Sequence, residues 1–273
     1  DPNQQPVPIG FSGPVEATER DANIYTADEF YPEKLYSQQV THFKRGFSIG
    51  TAMLHPVQYN PATGEVAYYR NLTVEVTTAP TQKAQSALAQ HFRGLPGDYA
   101  DVLRNVDNRQ RPPVYNQTEN TDNPDIPYLI ITTTTLEPYF QPFADFKTQY
   151  GLATEIVTVS FIQQNYTGLD TQTKIRNCID DYYSNHGTDF VLLGADDEYL
   201  PHRGFAAQVG QEYDDDIPAD LYYAALDGTW DNNGNGIYGQ SGEEDFMAEV
   251  SIGRAAVDTP AEVQTFIAKN IAY

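Results

Sequence analysis

Between Leu226 and Asp245 the chain reads LDGTWDNNGNGIYGQSGEED, with five carboxylates, three asparagines, five glycines and no basic residue. Closely spaced oxygen donors of this kind are what a hard cation such as Ca2+ takes as ligands. Inside the stretch, Asp231, Asn233, Asn235 and Gly236 reproduce the D-x-[DN]-x-[DN]-G opening of a calcium loop. Alternate side chains of a tight turn point inward, and glycine permits the sharp bend. A complete EF-hand would carry Glu where Gly242 stands; Glu243 comes one place late and no flanking helix is evident, so the expectation is a calcium loop that is not an EF-hand. Asp227 opens the same acidic loop. The competing reading is an Asn/Gly-rich hairpin tip with solvated charges. Zinc is not expected, because no Cys/His cluster is present.

A nucleophile is the second question. The single cysteine, Cys178, and the pair His186-Gly187 invite a thiol–imidazole reading. The local pattern opposes it. Ile175, Cys178, Ile179 and Tyr182 fall at i, i+3, i+4 and i+7, which puts the thiol on the buried stripe of a helix. His186 lies between that helix and the following strand, at the edge of the sheet opposite the one where open α/β sheets bind ligands. His42, His55, His91 and His202 show no partner pattern, and no serine elbow, P-loop or GxGxxG is found.

The charge balance narrows the partners. Net charge is -22, and between Asp189 and Glu249 fifteen acidic residues face one basic residue, Arg203. Nucleic acid and anionic membranes are bound through clustered Lys and Arg, so neither is expected. No apolar run reaches membrane-spanning length. With one cysteine, no internal disulfide forms.

The elements that must position these residues divide the chain into three parts. Residues 1–108 read as a mainly antiparallel β segment: Phe47–Val57 is apolar-rich, NPATGE is a turn, and Val66, Tyr68, Leu72, Val74 and Val76 fall on one face of a long strand. One or two short helices are expected within 82–103. Residues 109–125 form a polar, Pro-containing linker in which Arg109 and Arg111 are candidate processing sites. Residues 126–273 alternate strand and helix: YLIITTT, a helix on Leu136, Phe140, Phe143, Phe146 and Tyr150, LATEIVTV, the Cys178 helix, FVLLG, LYYAAL, MAEVSIG, and a helix on Val263, Phe266, Ile267 and Ile271. Buried strands alternating with helices predict an α/β fold with a doubly wound parallel sheet. In such a sheet Asp196-Asp197-Glu198, directly after FVLLG, sit at a carboxyl edge.

The runs PYLIITTTTLEPYFQPFADFKTQYGLATEIVTV, IRNCIDDYYSNHGTDFVLLGADDEYLP, PADLYYAALDGTWDNNGNGIYG and AEVSIGRAAVDTPAEVQTFIAKNIAY resemble the N-terminal half of the catalytic domain of gingipain-type cysteine peptidases. HPVQYNPATGEVAYYRNLTVEV is similar to the C-terminal part of their propeptide. The resemblance implies a caspase-like fold, secretion to the cell surface or medium, bound Ca2+, and a zymogen cut between prodomain and enzyme, for which Arg109 or Arg111 would serve. It carries over Asp196 and Glu249 as calcium ligands, with Asp220 as a further candidate. It also implies that the catalytic His and Cys come later than Tyr273. On this reading the segment supplies prodomain, scaffold and calcium sites, and its partners are the rest of the catalytic domain and, for the whole enzyme, protein substrates. Two alternatives stand beside it: a non-catalytic extracellular structural or assembly protein of the same lineage, and a receiver-like module using Asp196 and Asp197.

Overall fold

The run Tyr128–Thr132 combines an aromatic, an aliphatic and three β-branched residues, and its inner residues Leu129, Ile130 and Ile131 have no solvent exposure. A strand buried on both faces belongs in the middle of a parallel sheet, and the computed structural model places it there. The structure describes residues 21–109, 125–209 and 212–272.

In chain order the elements begin with α1 (Ala22–Tyr25), the hairpin β1 (Tyr36–Lys44) and β2 (Phe47–Leu54), β3 (Val57–Tyr59) and β4 (Val66–Tyr68), then α2 (Gln82–His91) and α3 (Pro96–Arg104). There follow β5 (Tyr128–Thr132), α4 (Glu137–Gln149), β6 (Thr154–Thr158), α5 (Val159–Asn165), α6 (Thr171–His186) and β7 (Phe190–Gly194). The ribbon β8 (Arg203–Val209) and β9 (Glu212–Ala219), α7 (Leu221–Ala224), β10 (Ser251–Arg254) and α8 (Pro260–Ala272) complete the described chain.

Two compact units emerge. The first comprises Asp1–His42, Ile49–Pro80 and Gln208–Tyr213; the second comprises Phe43–Ser48, Thr81–Ala207 and Asp214–Tyr273. The units therefore do not follow the chain order of the expected segments, because the hairpin tip at 43–48 and helices α2 and α3 belong with the sheet. In the first unit β3 and β4 pair antiparallel, with Gln58 opposite Ala67. The long strand expected over 66–77 is only three residues long. Val66, Tyr68, Val74 and Val76 are all more than half exposed, so their alternation finds no apolar face to cover it.

The second unit is built on a four-stranded parallel sheet in the order β10-β7-β5-β6. Register pairs Leu129 with Val191 and Ile130 with Ile156. The chain leaves β5 for β6 and then returns to β7 on the other side of β5, so the winding reverses between β5 and β7. Helix α4 buries Phe140, Phe143 and Ala144 at i, i+3 and i+4, and its Phe143 meets Phe266 of α8 edge-on at 5.9 Å. Gly194 closes β7 beneath this helix. A Cβ there would stand 2.8 Å from the Phe140 ring, so no larger residue fits. Helix α6 starts on an Asp170 cap, ends on a left-handed Gly187, and buries Ile175, Cys178, Ile179, Tyr182 and Tyr183. Helix α8 starts with a capping box, in which Glu262 accepts from the Asp258 and Thr259 N–H groups.

One expected strand is a helix. The first four residues of LYYAAL form α7, with Tyr222, Tyr223 and Ala224 buried, since a short apolar run does not by itself distinguish a buried strand from a buried helical turn. Asp214, Asp215 and Asp216 lie inside β9.

Candidate metal centre

The acidic loop is anchored from below by one cation. Arg176, on the buried face of α6, donates to the carbonyls of Tyr222 at 2.9 Å, Ala225 at 2.7 Å, Asp227 at 3.2 Å and Gly228 at 3.1 Å. Its guanidinium is lowered from its usual pKa by burial. A planar fork with several donors suits this task, because it can satisfy a turn of backbone carbonyls that has no helical partners. Trp230, in the left-handed region at φ 62°, is fixed by its indole N–H on Ala225 O at 3.3 Å and by stacking on Phe205. The backbone N–H groups of Glu249 and Val250 bond to Ala224 O and bring the end of the loop back to its start.

Asp227 at the start and Asp245 and Glu249 at the end thus converge, with a carboxylate oxygen from each within 4.8 Å of the others. Glu249 is fully buried. Its Oε2 accepts from Leu226 N–H at 2.6 Å and its Oε1 from Arg45 N–H at 3.1 Å. Burial, followed by the Asp227 charge, nevertheless pushes its carboxyl up to about 8, and burial pushes Asp245 up to about 6. Asp227 Oδ2 and Asp245 Oδ2 are buried and have no hydrogen-bond partner among the described residues. These three carboxylates, two of them with unpartnered oxygens, offer oxygen atoms of the kind a hard divalent cation takes as ligands.

The remaining candidates are placed elsewhere. Asp231, Asn233 and Asn235 form a turn whose side-chain oxygens face their own backbone. Asp231 accepts from Asn235 N–H and Gly236 N–H, and Asn235 accepts from Ile237 N–H. Asp220 makes a two-pronged ion pair with Arg254 at 2.6 and 2.7 Å. Asp196 follows β7 at the carboxyl edge and accepts from Asp197 N–H at 2.8 Å. Arg109 is exposed; Arg111 and residues 110–124 lie outside the described residues.

Two members were missed in the sequence. Asp245 sits in a run of three acids with nothing local to single it out. His91 showed no partner pattern, yet its Nδ1 is 2.9 Å from Asp227 Oδ1 and its Nε2 3.1 Å from Asp180 Oδ1. Burial works against its charged form, but these two hydrogen bonds outweigh it and hold the imidazole at about 10. His202 likewise faces Asp197 and Asp216.

Cys178 has no solvent exposure, and burial pushes its thiol up to about 12. His186 lies eight residues further along α6, about 12 Å along the helix axis. The two do not form a dyad.

Residues 121–273 match the sequence model of Peptidase family C25, and residues 20–94 match that of the C25 propeptide. Gingipain R2 of Porphyromonas gingivalis strain W83 is 26% identical over 254 residues, covering 91% of this chain and 30% of its own length. Gingipain R1 of the same species is 24% identical over 251 residues, covering 91% of this chain and 22% of its own. The chain thus spans less than a third of the length of these relatives. Among solved structures, the Arg-specific cysteine proteinase gingipain R matches 58% of this chain and 30% of its own, at 24% identity and a TM-score of 0.39.

Proposed function

Because the chain belongs to peptidase family C25, we propose that it is the pro-segment and N-terminal catalytic portion of a secreted, gingipain-like cysteine endopeptidase made as a zymogen. The observation that carries this reading is the ordered pair of matches, propeptide over 20–94 and peptidase over 121–273, on a chain whose one cysteine is a core residue. The thiolate that attacks the scissile carbonyl and the imidazole that moves its proton are assigned to residues C-terminal to Tyr273. Asp227, Asp245 and Glu249 hold a calcium ion, which neutralises the cluster and braces the loop from Asp227 to Glu249. Arg109 and Arg111 are the processing sites of the zymogen, and the rest of the catalytic domain is the partner of this portion. Among the described residues, no helix is long and apolar enough to cross a membrane.

Active-site alkylation of the full-length enzyme tests the assignment. Peptide mapping is expected to find the labelled thiol outside this segment, with activity kept in Cys178→Ser. Labelling of Cys178 and loss of activity in that variant would overturn it. The calcium assignment is tested by the melting temperature in millimolar Ca2+ against excess EDTA. A site at a hundred times its Kd adds about 2.7 kcal/mol, and the absence of a shift removes the ion from the account.

A further inference from the structure

The stretch matched as propeptide and the stretch matched as peptidase meet in one ion network. Arg45, in the β1–β2 turn, and Arg93, just past α2, belong to the first; Asp189, just ahead of β7, belongs to the second. Arg93 Nη2 donates to Asp189 Oδ1 at 2.7 Å, and Arg45 Nη1 donates to the same oxygen at 2.8 Å. Buried Asp98, in α3, accepts from both arginines. Asp101 lies 3.4 Å from Arg45 but also serves Lys44 and Arg104. On this N-terminal side Lys44, Arg45, Arg93 and Arg104 outnumber Asp98 and Asp101, and Asp189 supplies a carboxylate from the other side. Neighbouring contacts reinforce the network. The Arg93 guanidinium lies 4.1 Å from the centre of the Tyr183 ring and donates to Thr188 O at 3.2 Å. Tyr183 Oη donates to the His91 carbonyl at 2.9 Å, and Ser184 Oγ to Gln90 O at 3.3 Å. Phe47 of the turn meets Phe92 edge-on at 5.3 Å, so the two N-terminal pieces also pack on each other. Across the linker, Ile126 N–H donates to His186 O at 2.7 Å, Thr188 Oγ1 to Ile126 O at 2.6 Å, and the Asp189 and Phe190 N–H groups to Pro127 O. Both flanks of the linker thus rest on the same support, residues 183–190.

We propose that residues 183–190 are a docking surface for the pro-segment that outlasts cleavage of the linker, with Asp189 as its charge-matching residue. This rests on the pro-segment and processing assignments above. The partner is a basic, two-pronged piece of this same chain, the turn at 43–48 and the helices at 81–104. A cut within 110–124 touches none of the contacts just described, so it frees the chain ends and leaves the seat intact. Departure of the piece would strand charges that are paired in the seat, and removing one member of a buried pair is costly because the other stays uncompensated. Two prongs on one piece add to the hold: while one lets go, the other keeps it at high effective concentration. Linker cleavage and release of the pro-segment are therefore two separate events.

The test uses the 273-residue chain with a recognition sequence for a site-specific protease inserted between residues 112 and 120. After complete cutting, native size-exclusion chromatography at micromolar concentration is expected to give one peak that holds both pieces. A dilution series then reads the dissociation constant. Asp189→Asn on one side and Arg93→Gln on the other are each expected to weaken retention by about tenfold or more. Arg93→Gln leaves residues 125–273 unaltered, so its effect does not pass through misfolding of the sheet. Asp181→Asn, which removes a carboxylate of α6 that faces Tyr166 and Asn185 instead, is expected to match the parent. Pieces of the cut parent that elute apart, or retention unchanged in both Asp189→Asn and Arg93→Gln, overturn the proposal. N-terminal sequencing of the enzyme from its source that finds no new terminus between 105 and 126 overturns the zymogen reading and leaves the docking surface in place.

Discussion

Replacing Arg176 by methionine removes the four donors under the acidic loop and keeps most of the aliphatic volume. The bonds to Tyr222 O and Ala225 O are buried; those to Asp227 O and Gly228 O are partly exposed and are partly replaced by water. A hydrogen bond from a charged donor contributes about 1.5–3 kcal/mol, and two buried bonds give about 3–6 kcal/mol. Two corrections lower this figure. The guanidinium is itself desolvated, so its removal recovers part of that cost, and Trp230 still donates to Ala225 O. The expected loss is about 3 kcal/mol, or roughly 6–12 °C in Tm for a unit of this size. The chain has a single tryptophan, Trp230, and it is buried in this very loop. Its fluorescence therefore reports the site directly. The variant should show a lower urea midpoint and a red-shifted emission in the native baseline, before global unfolding. A loss below about 1 kcal/mol with unchanged emission would refute the claim that Arg176 organises the loop.

Calcium affinity should rise with pH between about 5 and 9. Protons held by Asp245 up to about 6 and by Glu249 up to about 8 must leave before the ion binds, so calorimetry at pH 8.5 should give the tighter constant and pH 5.5 the weaker. Without calcium the sign for folding is opposite: these raised carboxyls bind protons in the folded state, so their contribution to stability falls as pH climbs toward 8, which EDTA-treated samples should show in Tm. Asp245→Asn should abolish the calcium-dependent rise in Tm. Asp220→Asn should cost about 1–2 kcal/mol of stability through its broken pair with Arg254, and so lower Tm, yet leave that rise intact. Gly194→Ala should cost about 1–3 kcal/mol through the clash with Phe140, measurable by urea denaturation.

Much of the parallel sheet could be read from the sequence because its signals are local. The unbroken apolar runs of β5 and β7 and the i, i+3, i+4 stripes of α4 and α6 depend on neighbours a turn away. LYYAAL misled because six apolar residues carry no period. The 66–77 stretch misled because alternation shows that a face exists, not that anything covers it. At the site, Asp227 and Glu249 were named in advance, the first from loop acidity and the second from family resemblance. Asp245 and His91 were not named. His91 meets Asp227 across 136 positions of sequence, and no spacing rule reaches that far. The D-x-N-x-N-G pattern drew notice because turn chemistry and cation chemistry favour the same short oxygen-bearing side chains. Here those oxygens satisfy the turn.

The close approach of Gly194 to the Phe140 ring has a consequence for how this sheet can change over generations. The two positions occupy a single volume, and carbon added at one must be withdrawn at the other. A methyl group at 194 alone would push α4 off the end of β7, where Asp196 begins the carboxyl-edge loop. The same methyl group paired with Phe140→Leu has room. In related sequences the two sites should therefore vary together, large opposite small, and the tilt of α4 over the sheet should follow whichever partner carries the bulk.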